Sequence, residues 1–286
     1  MPNVSQMIRT IAKQNNTQQY IIEKDFALSY LLKAISEIDE LGCNLVLKGG
    51  TALRKLYFAD YRFSEDLDYS TRKIAPVHNF DTLFEKIVER LEIGLHERGP
   101  FHVYSEPLIL KQPHPSEQKA GVIHVQFPNQ RQAFCRLKVE ITVDEPIITT
   151  IETRSVLHGF PEEFVAQIPV YSLTEITAEK MRALLQSKAK LKEKGWGASR
   201  VCRDYYDLWN LLQVPGLITP NLIDILKQKC LIRHVSFTDH TDFISSELFD
   251  TADVEWMQQI IPFVPESPPA SEILPEVKAL ITSIWE

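Results

Sequence analysis

The run LVLKGGTALRKLYFADYRFSEDLDYS, residues 45–70, sets an apolar stretch, a Gly-Gly pair and two aspartates one residue apart within a single segment. The apolar Leu45–Leu47 reads as a short buried strand, and 49–58 as a turn leading into a helix. Residues 66–70 read as a second strand. Residues i and i+2 of a strand point to the same face, so that strand would present Asp66 and Asp68 side by side. Two carboxylates held together repel unless a positive group lies between them. A divalent metal with oxygen ligands, magnesium by preference, meets that need. A D-x-D pair taken alone also reads as a solvated strand end, and Gly-Gly alone as a plain turn.

Working outward, residues 18–41 carry Ile22, Phe26, Leu28, Leu31, Leu32, Ile35 and Ile38 at helical spacing, a stripe wide enough to cover one face of a sheet. Residues 79–95 form another amphipathic helix, and strand-like runs follow at 101–110 and 122–127. In 135–144, Leu137, Val139, Ile141 and Val143 alternate with Lys138, Glu140, Thr142 and Asp144, the period-2 pattern of a strand buried on one face. Glu140 can supply a third carboxylate to Asp66 and Asp68 if the two strands are neighbours. Three acids could hold two metal ions about 3.5–4 Å apart, the spacing that clamps an in-line phosphoryl displacement. Gly49 and Gly50 would let backbone N–H groups approach a polyphosphate.

Beyond 159–170 the pattern is helical. Ser172 with Glu175 forms a capping box opening a helix through Ala189. A basic loop, KAKLKEKGWGAS, comes next, and Ser199 caps a helix through Leu212. The proline-rich 262–275 reads as a loop or extended connector. Two polar residues break apolar helix stripes: Lys180, four residues from Ile176 and from Leu184, and Asp204, three after Val201 and four before Leu208. They read either as a buried ion pair between helices or as a phosphate-binding lysine with its orienting partner. Asp207, four after Arg203, reads as half of an exposed pair.

Composition bounds these readings. With 286 residues, 44% hydrophobic and 24% charged, the chain is of globular type, and a net charge of −7 argues against a protein coated in phosphate-binding lysines. Yet from Lys180 to Arg203 eight basic residues face a single acid, Glu193. Trp196 in that island suits base stacking beside phosphate contacts, and RNA is the expected partner; a solvated helix connection is the plainer reading. Cys43, Cys135, Cys202 and Cys230 are too far apart in sequence for a zinc cage and read as reduced thiols, and the eight histidines show no metal-ligand spacing. No stretch approaches the ~20 apolar residues that cross a bilayer, and the first residues lack a signal-peptide core. A cytoplasmic protein with no membrane partner is expected.

KGGTAL at 48–53 followed by RFSEDLDY at 62–69 resembles the signature of the AbiEii/MenT nucleotidyltransferase toxins, within the DNA polymerase β-like nucleotidyltransferase superfamily. EKD at 23–25, KVE at 138–140, AEKMRALL at 178–185 and RDYYDL at 203–208 extend the likeness over residues 20–212, in order. The resemblance implies an α/β (α+β) nucleotidyltransferase-like mixed sheet with flanking helices over 1–168, followed by a helical C-terminal domain over 169–286. It implies metal-dependent (Mg2+ or Mn2+) transfer of NMP from an NTP to an acceptor, with release of pyrophosphate. Asp66 and Asp68 would be catalytic metal ligands with Glu140 as third, and Gly49, Gly50, Thr51 and Ser64 would hold nucleotide phosphate. Lys180 and Asp204 would match the family's later catalytic motifs, Lys180 also touching the nucleotide. The implied acceptor is the 3′ end of tRNA, and the implied setting an AbiE-type toxin–antitoxin or phage-defence pair with a cognate antitoxin. A small-molecule acceptor such as an aminoglycoside, a protein acceptor, and a catalytically silent nucleotide-binding regulator are the alternatives. Thr51 stands where many superfamily members have serine, and Glu140 where aspartate is commoner.

Overall fold

A computed structural model describes residues 3–72, 80–108, 118–196, 198 and 200–286. The chain forms two compact units, Met1–Tyr171 and Ser172–Glu286. In the first, helices α1 (Val4–Gln14), α2 (Gln19–Ser36) and α3 (Asp39–Gly42) precede strand β1 (Leu45–Lys48). Helix α4 (Gly49–Ala52) runs straight into a π-helical turn, Leu53–Tyr57, before β2 (Asp66–Thr71). Helix α5 (Phe80–His96) follows, then β3 (His102–Pro107), β4 (Gln118–Gln126), β5 (Cys135–Thr142), β6 (Glu152–Ser155) and β7 (Gln167–Val170). The expected strand over 101–110 ends in residues outside those described.

The seven strands make one mixed sheet in the order β3-β4-β5-β2-β1-β7-β6. β2 runs parallel to β5, and β1 parallel to β7; the other pairs are antiparallel. This is an α/β nucleotidyltransferase-like fold. Alternation divides the sheet into two faces. Leu67, Tyr69, Leu137, Val139 and Ile141 are buried on one, and α2 and α5 pack against the sheet. Gly121, in register with Val139, lies against α5: a Cβ there would lie 2.3 Å from the Phe84 ring. The opposite face carries Asp66, Asp68, Lys138 and Glu140.

The stripe expected over 18–41 is broken at Glu37–Ile38 into α2 and α3, and α2 is buried nearly all round. Lys24 and Asp25 on it are held in ion pairs. Asp25, 2% exposed, lies 2.7 Å from Lys55 Nζ and 3.5 Å from Arg54 Nε. Burial pushes the Lys55 ammonium down to about 8, opposed by Asp25 and assisted by Arg54.

The second unit is helical: α6 (Leu173–Lys194), α7 (Val201–Leu212), α8 (Pro220–Ile232), α9 (Ser246–Gln259) and α10 (Ala270–Ser283). Ser172 Oγ accepts from Glu175 N at 3.2 Å, as a capping residue should. α6 packs on α7 and α8, and α7 on α9 and α10. Lys229 is fully buried and is neutralised by Glu175 at 2.7 Å and Glu179 at 3.2 Å.

Two expectations need correction here. The basic stretch is not a loop: α6 continues through Lys188, Lys190, Lys192 and Lys194 and stops at Gly195, whose φ of 73° closes the helix in the left-handed region. Lysine is a good helix former, so the charge run did not break the helix. The proline-rich connector likewise ends at Pro269, and residues 270–275 are the first turns of α10, with Pro275 inside the helix. Ser199, the expected cap of α7, lies outside the described residues; Arg200 at φ 65° immediately precedes the helix. No helix among the described residues is long and apolar enough to cross a membrane.

Candidate active site

The Gly-Gly turn is built around its neighbours. Gly49 has φ 74°, which only glycine adopts without strain. A Cβ there would stand 2.8 Å from Asp68 Oδ2. At Gly50 a Cβ would lie 2.5 Å from Arg62 Nη2 and 3.2 Å from Ser64 Oγ. The two glycines therefore let the start of α4 approach the carboxylate of β2 and the segment before it. Thr51, 1% exposed, fastens the same contact from below. Its hydroxyl donates to the Asp66 carbonyl and lies 2.9 Å from Ser64 Oγ. Thr51 thus ties α4 to the first residue of β2 by a hydroxyl that serine would equally supply.

On β2, Asp66 and Asp68 are half-buried while Leu67 and Tyr69 between and beyond them are buried. β5 lies alongside, with Asp68 in register with Glu140 and Asp66 with Lys138. On the other side Lys48 of β1 is in register with Asp68. Asp66, Asp68 and Glu140 consequently share one face of adjacent strands. Lys138 Nζ holds Glu140 Oε2 at 2.8 Å. Among the described residues no group of three or more His, Cys, Asp or Glu is gathered closely enough to hold a metal ion. The donor set nonetheless fits a hard cation, since all are carboxylate oxygens. Asp66 and Asp68 would hold such an ion; Glu140 would join only by leaving Lys138.

Lys180 and Asp204 belong to the second unit, where they meet directly. Lys180 Nζ lies 2.7 Å from Asp204 Oδ1 and 2.8 Å from Asp207 Oδ2. The ion pair expected between two helix stripes is present, with an unexpected third member. Asp207 is fully buried, not exposed, and lies 2.8 Å from Lys180. Arg203 donates through Nε to the Gln259 carbonyl at 3.3 Å, its guanidinium over the Phe263 ring at 4.5 Å. Asp204 and Asp207 are three residues apart, one turn of the same α7 face, and that periodicity carried the signal that the Arg203 spacing obscured.

Of the lysines at the end of α6, Lys188 is held by Asp242 at 2.8 Å. Lys190, Lys192 and Lys194 are exposed, as is Trp196 at 73%. Sequence reasoning passed over Lys48 and Arg62. Lys48 adjoins Gly49, and Arg62 is a 3%-exposed charge between two aromatics, a position that itself marks a structural or functional role.

A strand, a Gly-Gly turn into a helix and a next strand with two carboxylates on one face, set in a mixed sheet, define a protein of the nucleotidyltransferase class. The chain belongs to the AbiEii nucleotidyltransferase toxin family: the family model "Nucleotidyl transferase AbiEii toxin, Type IV TA system" matches residues 30–283. It is thus a nucleotidyltransferase of the toxin type found in type IV toxin–antitoxin systems. No curated protein matches the chain.

Proposed function

We propose that the protein transfers a nucleoside monophosphate from an NTP to the 3′ end of tRNA, with a divalent cation held by Asp66 and Asp68, and that this blocks use of the tRNA and arrests growth. The observation that carries the reading is the packing of the Gly49–Gly50 turn against Asp68. It sets a glycine turn, a backbone type suited to phosphate, next to the paired carboxylates suited to a cation. Bound magnesium or manganese would supply positive charge to the α-phosphate and to the departing pyrophosphate.

The chain's own residues have distinct tasks in this reading. Gly49 and Gly50 admit the phosphates, and Ser64, beside Thr51, offers a hydroxyl to them. Asp66 and Asp68 stay ionised as ligands, and Glu140 is the reserve carboxylate released from Lys138. Lys180 acts as a point charge toward nucleotide phosphate, and Asp204 and Asp207 fix its ammonium in place. Lys190, Lys192, Lys194 and Trp196 serve an RNA backbone and base. The acceptor is intracellular tRNA, so a cytoplasmic site of action and a role in phage defence follow, with an antitoxin countering the activity.

The test incubates purified protein with total RNA, magnesium and each labelled NTP in turn. Label in the tRNA band, abolished by chelation and by Asp68→Asn, is expected. Label entering only protein or an aminoglycoside would overturn the tRNA reading.

A further inference from the structure

The sheet face that carries Asp66 and Asp68 continues beyond them to the β3 edge, where it carries aromatic rings and an arginine beside a single row-mate carboxylate, Glu106. Register places Tyr104, His124 and Arg136 in one row across β3, β4 and β5. The next row holds Glu106, Val122, Lys138 and Asp66. Glu140, Lys138 and Arg136 alternate along β5, so all these side chains stand on one face.

The Tyr104 and His124 rings are stacked, with centroids 4.5 Å apart and planes 4° from parallel. His124 is buried against its neighbours, with Nε2 3.2 Å from Glu106, whereas Tyr104 is 38% exposed. β3 is the edge strand. With one ring face against His124 on the inner strand, Tyr104 turns the other outward past the edge of the sheet. His102, two residues back along β3, is exposed and lies 6.0 Å from Tyr104, ring to ring. The row thus presents an open aromatic face at its outer end and the exposed Arg136 at its inner end. Strand spacing of about 4.8 Å and a rise of about 3.3 Å per residue put Tyr104 roughly 16 Å from Asp66, a span that a few nucleotides cover.

We propose that this face, from Tyr104 through His124 and Arg136 toward the aspartates, is the platform for an unpaired 3′ strand of the RNA acceptor. A base extends the Tyr104–His124 stack, and a phosphate lies on Arg136. The proposal rests on the RNA-acceptor reading given above. Single strands are recognised in this way because every base has a π-face and a phosphate at regular intervals, and a stack on a sheet face demands neither groove nor sequence. The accessible side chains run on along β5 from Arg136 to Lys138, which is in register with Asp66, so a strand that follows them points its end at those carboxylates.

The test uses the full chain and a short labelled single-stranded oligoribonucleotide, with binding read by fluorescence anisotropy apart from any transfer. Tyr104→Ala is expected to weaken binding by about 5- to 150-fold, the fold-change that corresponds to losing one base stack. Tyr104→Phe keeps the ring and should bind within about twofold of the parent. Tyr104→Leu keeps bulk over His124 and so guards against a folding artefact; it should weaken binding as Ala does. Arg136→Gln should make the salt dependence shallower by about 0.7 units of slope. NTP binding without RNA should be unchanged in every variant. If the parent labels RNA while Tyr104→Leu and Tyr104→Ala bind as it does, the platform is wrong and the RNA reading stands. A parent chain that neither binds the oligonucleotide nor labels RNA overturns both.

Discussion

Substituting Gly49 by alanine should separate two costs that the turn combines. The backbone cost follows from φ 74°: a left-handed L-residue is disfavoured by about 1–2 kcal/mol. The steric cost falls on one atom. A new Cβ would sit 2.8 Å from Asp68 Oδ2, where ordinary contact begins at 3.4 Å, so the carboxylate must retreat by about 0.6 Å. A working site tolerates about 0.5 Å, and a misplacement near 1 Å can lower a rate about 10²-fold. Turnover per folded molecule should therefore drop by roughly 10- to 100-fold. Gly159→Ala isolates the first cost, because Gly159 has φ 72° and nothing within 4 Å of its Cβ position. Both residues lie in the first unit. All four tryptophans (Trp196, Trp209, Trp256 and Trp285) lie in the second. Hydrogen exchange of peptides spanning β1 and β2 would read stability, and labelled-NTP transfer would read activity. The two variants should lose similar stability and differ in turnover. If Gly49→Ala loses stability like Gly159→Ala yet keeps full turnover, the turn does not control where Asp68 sits.

The remaining expectations are briefer. Asp66→Ala and Asp68→Ala should each abolish transfer and leave the fold intact; near-normal turnover with magnesium present would remove that residue from the mechanism. Lys180→Met should lower turnover by roughly 10²–10³. It also removes a charge partner of the buried Asp207 and should lower the stability of the second unit, which tryptophan fluorescence can follow; unchanged turnover per folded molecule would leave Lys180 a purely structural ion pair. Lys55 gives a pH test. Its proton is released near 8 when folded and near 10.5 when unfolded. Its contribution to stability is therefore present above 10.5 and is lost as pH falls through 8. Between pH 7.5 and 10 the parent should gain about 2–3 kcal/mol relative to Lys55→Met, and a constant difference would refute the burial argument. Lys190, Lys192 and Lys194 changed together to serine should make tRNA binding less salt-dependent by about 0.7–0.9 units of slope per lost phosphate contact; Lys188 is left out because Asp242 already holds it.

Much of this architecture could be read from periodicity. β2 and β5 announced themselves by alternation, and the spacing of Asp66 and Asp68 fixed their common face. Lys180 and Asp204 stood out because charge on an apolar stripe has to be paired. What periodicity could not supply was pairing between distant segments. Lys138 is on Glu140's own strand, and an i,i+2 spacing that puts two carboxylates together also lets a lysine reach a glutamate and occupy it. β6 and β7, four residues each, are too short to show a period and are defined by their partners. The end of α6 was missed because a lysine run resembles a loop in composition while having good helix propensity, and the true stop was Gly195.

The parallel pairing of β1 with β7 also dictates an order of assembly. Leu47 is matched to Val170, 123 residues later. At a synthesis rate of about 5–20 residues per second, roughly 6–25 s separate the emergence of the two strands from the ribosome. Throughout that interval Leu45, Val46 and Leu47 present an apolar strand with one unpaired edge, the kind of surface that recruits chaperones or strays into other chains. The Gly49 turn hangs from the end of that strand. A nascent copy of the toxin should therefore stay silent until the chain has grown past Tyr171, and its yield in cells should respond to holdase levels more steeply than its finished stability would suggest.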